Sequence, residues 1–77
     1  MNEGMWVRFE VAGQKPKTMV WNVIAKADNV VLGQVLWFAR WRGYAFFPAP
    51  DTLYEARCLS DIAAFIKEQN AAQRRKP

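Results

Sequence analysis

The sequence predicts an α+β fold in which an antiparallel, three- to four-stranded meander packs against one C-terminal α-helix. Three observations lead there. Apolar residues alternate with a period of two through much of the first two-thirds of the chain, the pattern produced by strands, whose successive side chains point to opposite faces. Clusters of Gly, Pro, Asn and Asp interrupt that alternation where connections between strands are needed. Beyond Pro50 the apolar spacing changes to three and four, the period of a helix with one buried stripe. Consecutive strands usually pair, so a meander covered by the helix that follows it is the economical arrangement.

The first strand is expected over Met5 to Val11, with Met5, Val7, Phe9 and Val11 on one face and Trp6, Arg8 and Glu10 on the other. AGQKPK, residues 12–17, contains Gly13 and Pro16 and reads as a turn, with Lys15 and Lys17 forming a local basic spot. Thr18 to Ala25 alternates again: Met19, Trp21, Val23 and Ala25 share one face. Thr18, Val20, Asn22, Ile24 and Lys26 share the other, which is mixed rather than polar and marks a central strand. KADN, residues 26–29, suits a hairpin connection because Asp and Asn tolerate positive φ.

Val30 to Phe38 is apolar on both faces, as a strand covered on both sides would be, and Gly33 within it marks a bulge or a close approach. ARWR, residues 39–42, is the next turn and Gly43 to Phe47 the last strand. It is stopped by Pro48 and Pro50, since proline cannot donate to a ladder. Thr52 and Glu55 have the spacing of a capping box, which places a helix start there. The helix is expected to run through at least Asn70 on a stripe of Leu59, Ile62, Ala63 and Ile66, with Cys58 and Phe65 flanking it. Asp61, Lys67, Glu68 and Gln69 fall outside the stripe. Arg74, Arg75 and Lys76 complement the helix dipole, and residues 71–77 read as a basic C-terminal tail.

Seventy-seven residues suit a single domain, residues 1–77. A hydrophobic content of 52% against 23% charged is far from the composition of a disordered chain, so the chain folds. A domain this short buries only about 60% of the surface its unfolded chain exposes. With a single cysteine it has no internal disulfide to help, which leaves aromatic packing or oligomerisation. No apolar run approaches the ~18–20 residues that cross a bilayer. The opening MNEGMWVRFE has no basic region followed by an apolar one, so a cytoplasmic protein without a membrane partner is expected.

An inventory of reactive groups argues against catalysis. Histidine is absent, which removes the commonest general base and every Ser-His or Cys-His pairing. Ser60 is the only serine, and Cys58 reads as a small buried apolar residue beside Leu59. The carboxylates are scattered, and the glycines form no phosphate-binding run. One cysteine and no histidine supply none of the usual ligand sets for zinc, haem or iron–sulfur cofactors. A non-enzymatic binding protein is therefore expected.

The net charge of +4 favours an anionic partner. The stretch WFARWRGYAFF holds six aromatic residues, with Arg40 and Arg42 flanking Trp41. Arg40, Trp41, Arg42 and Tyr44, together with Lys15 and Lys17, are the candidate binding residues. Guanidinium groups suit phosphates and guanine edges, and flat rings accept unpaired bases. The same side chains also suit a protein interface, because Trp, Tyr and Arg dominate binding hot spots. The plainest alternative is that the aromatics, Trp37 and Phe46 first, fill the space between sheet and helix. Strand residues outnumber what one helix covers, so a face carrying Val20, Ile24, Leu36 or Phe38 is expected to stay open. Such a patch suits a homodimer or a protein target.

From Val30 to Ile66 the chain resembles a widespread group of short uncharacterised bacterial and phage proteins. The resemblance is carried by Leu32-Gly33, Leu36-Trp37-Phe38, Trp41-Arg42-Gly43-Tyr44, Phe46-Phe47-Pro48, Thr52 and Cys58-Leu59, followed by Asp61-Ile62-Ala63 and Phe65-Ile66. It implies a phage or mobile-element origin and brings no activity with it. Strands followed by one packed helix are also similar, in fold alone, to the arm-binding domains of phage integrases and to AP2-type DNA-binding domains. Two roles follow as expectations. One is nucleic-acid binding through the basic aromatic hairpin, favoured by charge. The other is docking on a host defence protein complex, as anti-CRISPR inhibitors do.

Overall fold

A computed structural model describes residues 6–75. The elements are β1 (Val7–Gln14), β2 (Met19–Ala25), β3 (Val31–Phe38), a single 3₁₀ turn at Ala39–Trp41, β4 (Gly43–Pro48) and helix α1 (Ala56–Arg74). The strands form one antiparallel sheet in the order β1-β2-β3-β4, the meander expected from the alternation. No described helix is long and apolar enough to cross a membrane.

Strand pairing decides which side chains meet the helix. Phe9 pairs with Val23, Trp21 with Val35, and Val35 with Phe46, so the period of two places all of them on one face with Val7, Trp37 and Tyr44. Helix α1 covers this face with Ile62 and Phe65, and Cys58 and Ile66 pack at the margin. Phe65 lies flat on Phe9, ring centroids 3.8 Å apart and 5° between planes, and meets Trp21 edge to face at 4.9 Å. Trp21 in turn meets Tyr44 at 5.3 Å, and Tyr44 meets Trp37 at 5.4 Å. Aromatic packing of this kind provides the dense core that a short chain without disulfides requires.

Several expectations are corrected. Strand β1 runs to Gln14, past the predicted turn, because an extra residue at Ala12 shifts the register between Val11 and Gly13 and pairing then resumes. Met5 lies outside the described residues. Trp6 precedes the strand and turns toward the helix: its N–H donates to Asp61 at 2.7 Å, and the Arg57 guanidinium lies 5.0 Å from its ring. Strand β3 is covered on one face only, and Val31 and Gln34 on the other face are exposed. That outer face is less open at Ile24 than expected. Ile24 is buried opposite Arg8, whose guanidinium is held by Glu10 and Asn29.

The helix begins later and in a different register. Thr52 is no cap: its hydroxyl donates to the Ala49 carbonyl and bonds the Tyr54 hydroxyl, tying down the loop after β4. Glu55 is the N-cap instead, accepting from the Cys58 N–H at 3.1 Å. From that start the buried positions are Ile62 and Phe65, while Leu59 is 49% exposed and Ala63 is exposed. The predicted tail is helical through Arg74, as expected of the helix formers Ala71, Ala72 and Gln73. Lys76 lies outside the described residues.

Gly33 is the close-approach point that its place in an apolar strand suggested. The register shifts here because Leu32 is an extra residue on β3, and the shift turns its side chain into the core. A β-carbon at Gly33 would sit 2.4 Å from the Phe47 carbonyl oxygen and 2.9 Å from both the Phe46 ring and the Pro48 α-carbon. Two of those atoms are backbone in a paired strand and cannot rotate away. Gly33→Ala is therefore expected to cost about 1–3 kcal/mol. A thermal melt within a degree or two of the parent would contradict it.

Candidate nucleic-acid interface

In an up-and-down meander, alternate connections lie at the same end. The β1–β2 turn, residues 15–18, and the β3–β4 connection, residues 39–42, therefore share one end of the sheet. Helix α1 starts at the other end, after β4, and runs back, so its C-terminus joins them. Two side chains tie the three segments together. Asn70 accepts the Tyr44 N–H at 2.8 Å, capping the open edge of β4, and Gln73 donates to the Lys17 carbonyl at 3.0 Å. Neither residue stands out as a functional type in the sequence. Asn70, however, continues the four-residue spacing of Ile62 and Ile66, a signal that it faces the sheet.

The result is an end rich in positive charge. Lys15 and Lys17 come from the first turn, Arg40 and Arg42 from the second, and Arg74 and Arg75 from the helix end, all six exposed. Residues 15–18, 39–42 and 69–75 contain no carboxylate. Asp28, Asp51 and Glu55 lie instead in the connections at the opposite end. Cations gathered without intervening acids reinforce one another's field, which steers and retains anions.

The candidate residues separate into two groups. Trp41 is 72% exposed at the hairpin tip, where core packing has no claim on it. Arg42 closes the turn in the left-handed region, φ 52°, with its N–H donating to the Ala39 carbonyl. Tyr44, expected beside them as a binding residue, belongs to the core. It is 6% exposed, packed between Trp21 and Trp37, and its hydroxyl accepts the Met19 N–H at 3.2 Å. The cause is parity, since Tyr44 lies two residues from Phe46 and shares its inward face. Trp37 is half-buried there too, at the rim of the core.

Between the hairpin tip and the helix end lies an open groove of about 860 Å³. Trp37, Trp41 and Tyr44 contribute aromatic surface to it, Arg42 and Arg74 positive charge, and Asn70 and Gln73 polar groups. This arrangement sets cations beside flat apolar surface. No family model, curated protein or solved structure matches the chain.

Proposed function

We propose that the protein is a small, non-catalytic nucleic-acid-binding protein of phage or mobile-element type, working in the cytoplasm through the basic end described above. The observation that carries this reading is the gathering of six cations from three separate segments at the end of the sheet that carries an exposed tryptophan. Solvated charges that merely keep a surface soluble have no reason to cluster on one sign. Arg42 adds to the case, because a left-handed backbone costs a side-chain-bearing residue about 1–2 kcal/mol relative to the usual conformation. Asn29 and Asp51, the other non-glycine residues of positive φ among the described residues, are of types that tolerate it. An arginine retained at such a point is consistent with a use for its guanidinium.

The second reading, an inhibitor docking on a host defence complex, draws on the uncovered outer sheet face, where Val31 and Phe47 are exposed. Both readings meet one experiment, a binding titration of DNA and RNA oligonucleotides at low and high salt. If the six cations each contact a phosphate of a single strand, log K falls with log salt at a slope near −4, at about 0.7 per contact. A fourfold rise in salt then weakens binding on the order of 10²-fold. Absence of any salt-dependent binding at low ionic strength would sink the nucleic-acid reading and leave the protein target.

A further inference from the structure

We infer that the nucleic acid is single-stranded and that its bases stack on an aromatic strip of the uncovered sheet face, formed by Phe38, Trp41 and Phe47. This rests on the nucleic-acid reading above and assigns the ligand's class and a second surface to it. Phe38 and Phe47 lie on the outer face, one from β3 and one from β4, because Phe47 pairs with Gln34 and Phe38 is four residues along the same face. Trp41 meets Phe38 edge to face at 4.8 Å, and Phe38 meets Phe47 at 6.1 Å. None of the three belongs to the core cluster; Trp41 is 72% and Phe47 40% exposed. The strip begins at the hairpin tip, so a chain whose phosphates are held by Arg40 and Arg42 is already positioned to lay its bases along it.

Two features favour a single strand over the alternatives. Reading a duplex calls for a helix or a β-ribbon inserted in a major groove about 12 Å wide, with cations on either side for the phosphates. The outward surface of α1 presents Leu59, Ala63, Ala64 and Glu68, and Lys67 is the one cation between Arg57 and Arg74. The hairpin tip is a single 3₁₀ turn, and Phe38, Trp41 and Phe47 line a shallow hollow of about 150 Å³ beside it, a shape that suits a splayed base better than a closed duplex. A second copy of the chain is disfavoured as the occupant of the sheet face, because that face is interrupted by polar groups. Arg8 and Glu10 pair along β1 on this face at 2.7 Å, and Gln34 donates to Asn22 at 3.0 Å. Exposed rings beside cations on a partly polar sheet form a base-stacking platform, since every base offers a π-face.

The test uses the intact protein and labelled oligonucleotides of about 12 nucleotides, within the ~4–16 that one small domain covers. Single-stranded DNA, single-stranded RNA and a duplex of the same length are titrated at low salt. At least one single strand is expected to bind roughly tenfold or more tighter than the duplex, with Trp41→Ala and Phe47→Ala each weakening it about 5- to 100-fold. Both variants should keep the parent's thermal melt, which separates lost stacking from lost folding. A duplex bound as tightly as either strand, or strand affinity unmoved in both variants, overturns the inference while leaving nucleic-acid binding in place. Failure of every oligonucleotide to bind overturns both readings. Self-association by light scattering that Phe47→Ala abolishes, with nucleic-acid affinity unchanged, overturns the inference by assigning the face to a second copy.

Discussion

Phe65→Ala is expected to remove a large part of the stability of this domain. Phe65 is the helix residue that stacks flat on Phe9 and meets Trp21 edge-on, and it is 5% exposed. Truncating a buried phenylalanine typically costs 3–5 kcal/mol, because transfer free energy is lost and the surrounding rings close the cavity only partly. At roughly 0.05–0.15 kcal/mol per residue, a 77-residue chain has about 4–12 kcal/mol in total. The loss also falls on the joint between the only described helix and the sheet, where just Ile62 is comparably buried. Each kcal/mol shifts the melting temperature of a domain this size by about 4–8 °C, so a fall of some 15 °C or more is expected. Leu59→Ala, on the position that sequence spacing placed in the core, should change the melt little because Leu59 is half exposed.

The second large effect concerns binding rather than folding. The triple variant Arg40→Gln, Arg42→Gln, Arg74→Gln removes one or two cations from each of two segments that meet at the basic end. Glutamine keeps a polar, hydrogen-bonding end on a somewhat shorter side chain and takes away the charge. If the three cations contact phosphates of a single strand, each adds about 0.7 to the salt slope, so together they account for about 2. Counterion release at low salt makes that difference worth on the order of 10²-fold in affinity. The melt should move by no more than a few degrees. All three residues are exposed, and the helix dipole loses one favourable cation worth about 0.3–1 kcal/mol.

Much of this was legible in the chain. Alternation identified four strands and their order, and the helical period identified α1. Gly33, set in an otherwise apolar strand, announced the close approach that its neighbours now explain. Tyr44 was misplaced because its nearness to Arg42 in sequence outweighed its parity with Phe46; on a strand, parity decides the face. The helix start is misread because Thr52 and Glu55 match a capping box in spacing, and its buried face because Leu59, Ile62, Ala63 and Ile66 recur at three and four whereas Ile62 and Phe65 are the residues buried against the sheet. In the loop after β4 the Thr52 hydroxyl bonds the Ala49 carbonyl and the Tyr54 hydroxyl instead, and the helix starts at Ala56. Trp6 was misassigned for a similar local reason, as its N–H is taken by Asp61 before β1 begins. The sequence groups Lys15 and Lys17 with Arg40 and Arg42 but leaves the helix end out, although meander topology implies it. Lys15, Arg40 and Arg74 are far apart in sequence, and Arg74 and Arg75 read there as part of a solvated tail. Only the up-and-down path, with the helix returning to the same end, brings them together.

The most direct test of the central claim, that the basic end is the nucleic-acid interface, is the slope of log affinity against log salt, measured side by side for the parent and the triple glutamine variant. A slope near −4 is expected for the parent, reduced by about 2 in the variant, with both proteins equally folded. Equal slopes for two folded proteins would contradict it, because the phosphates would then be held elsewhere on the molecule.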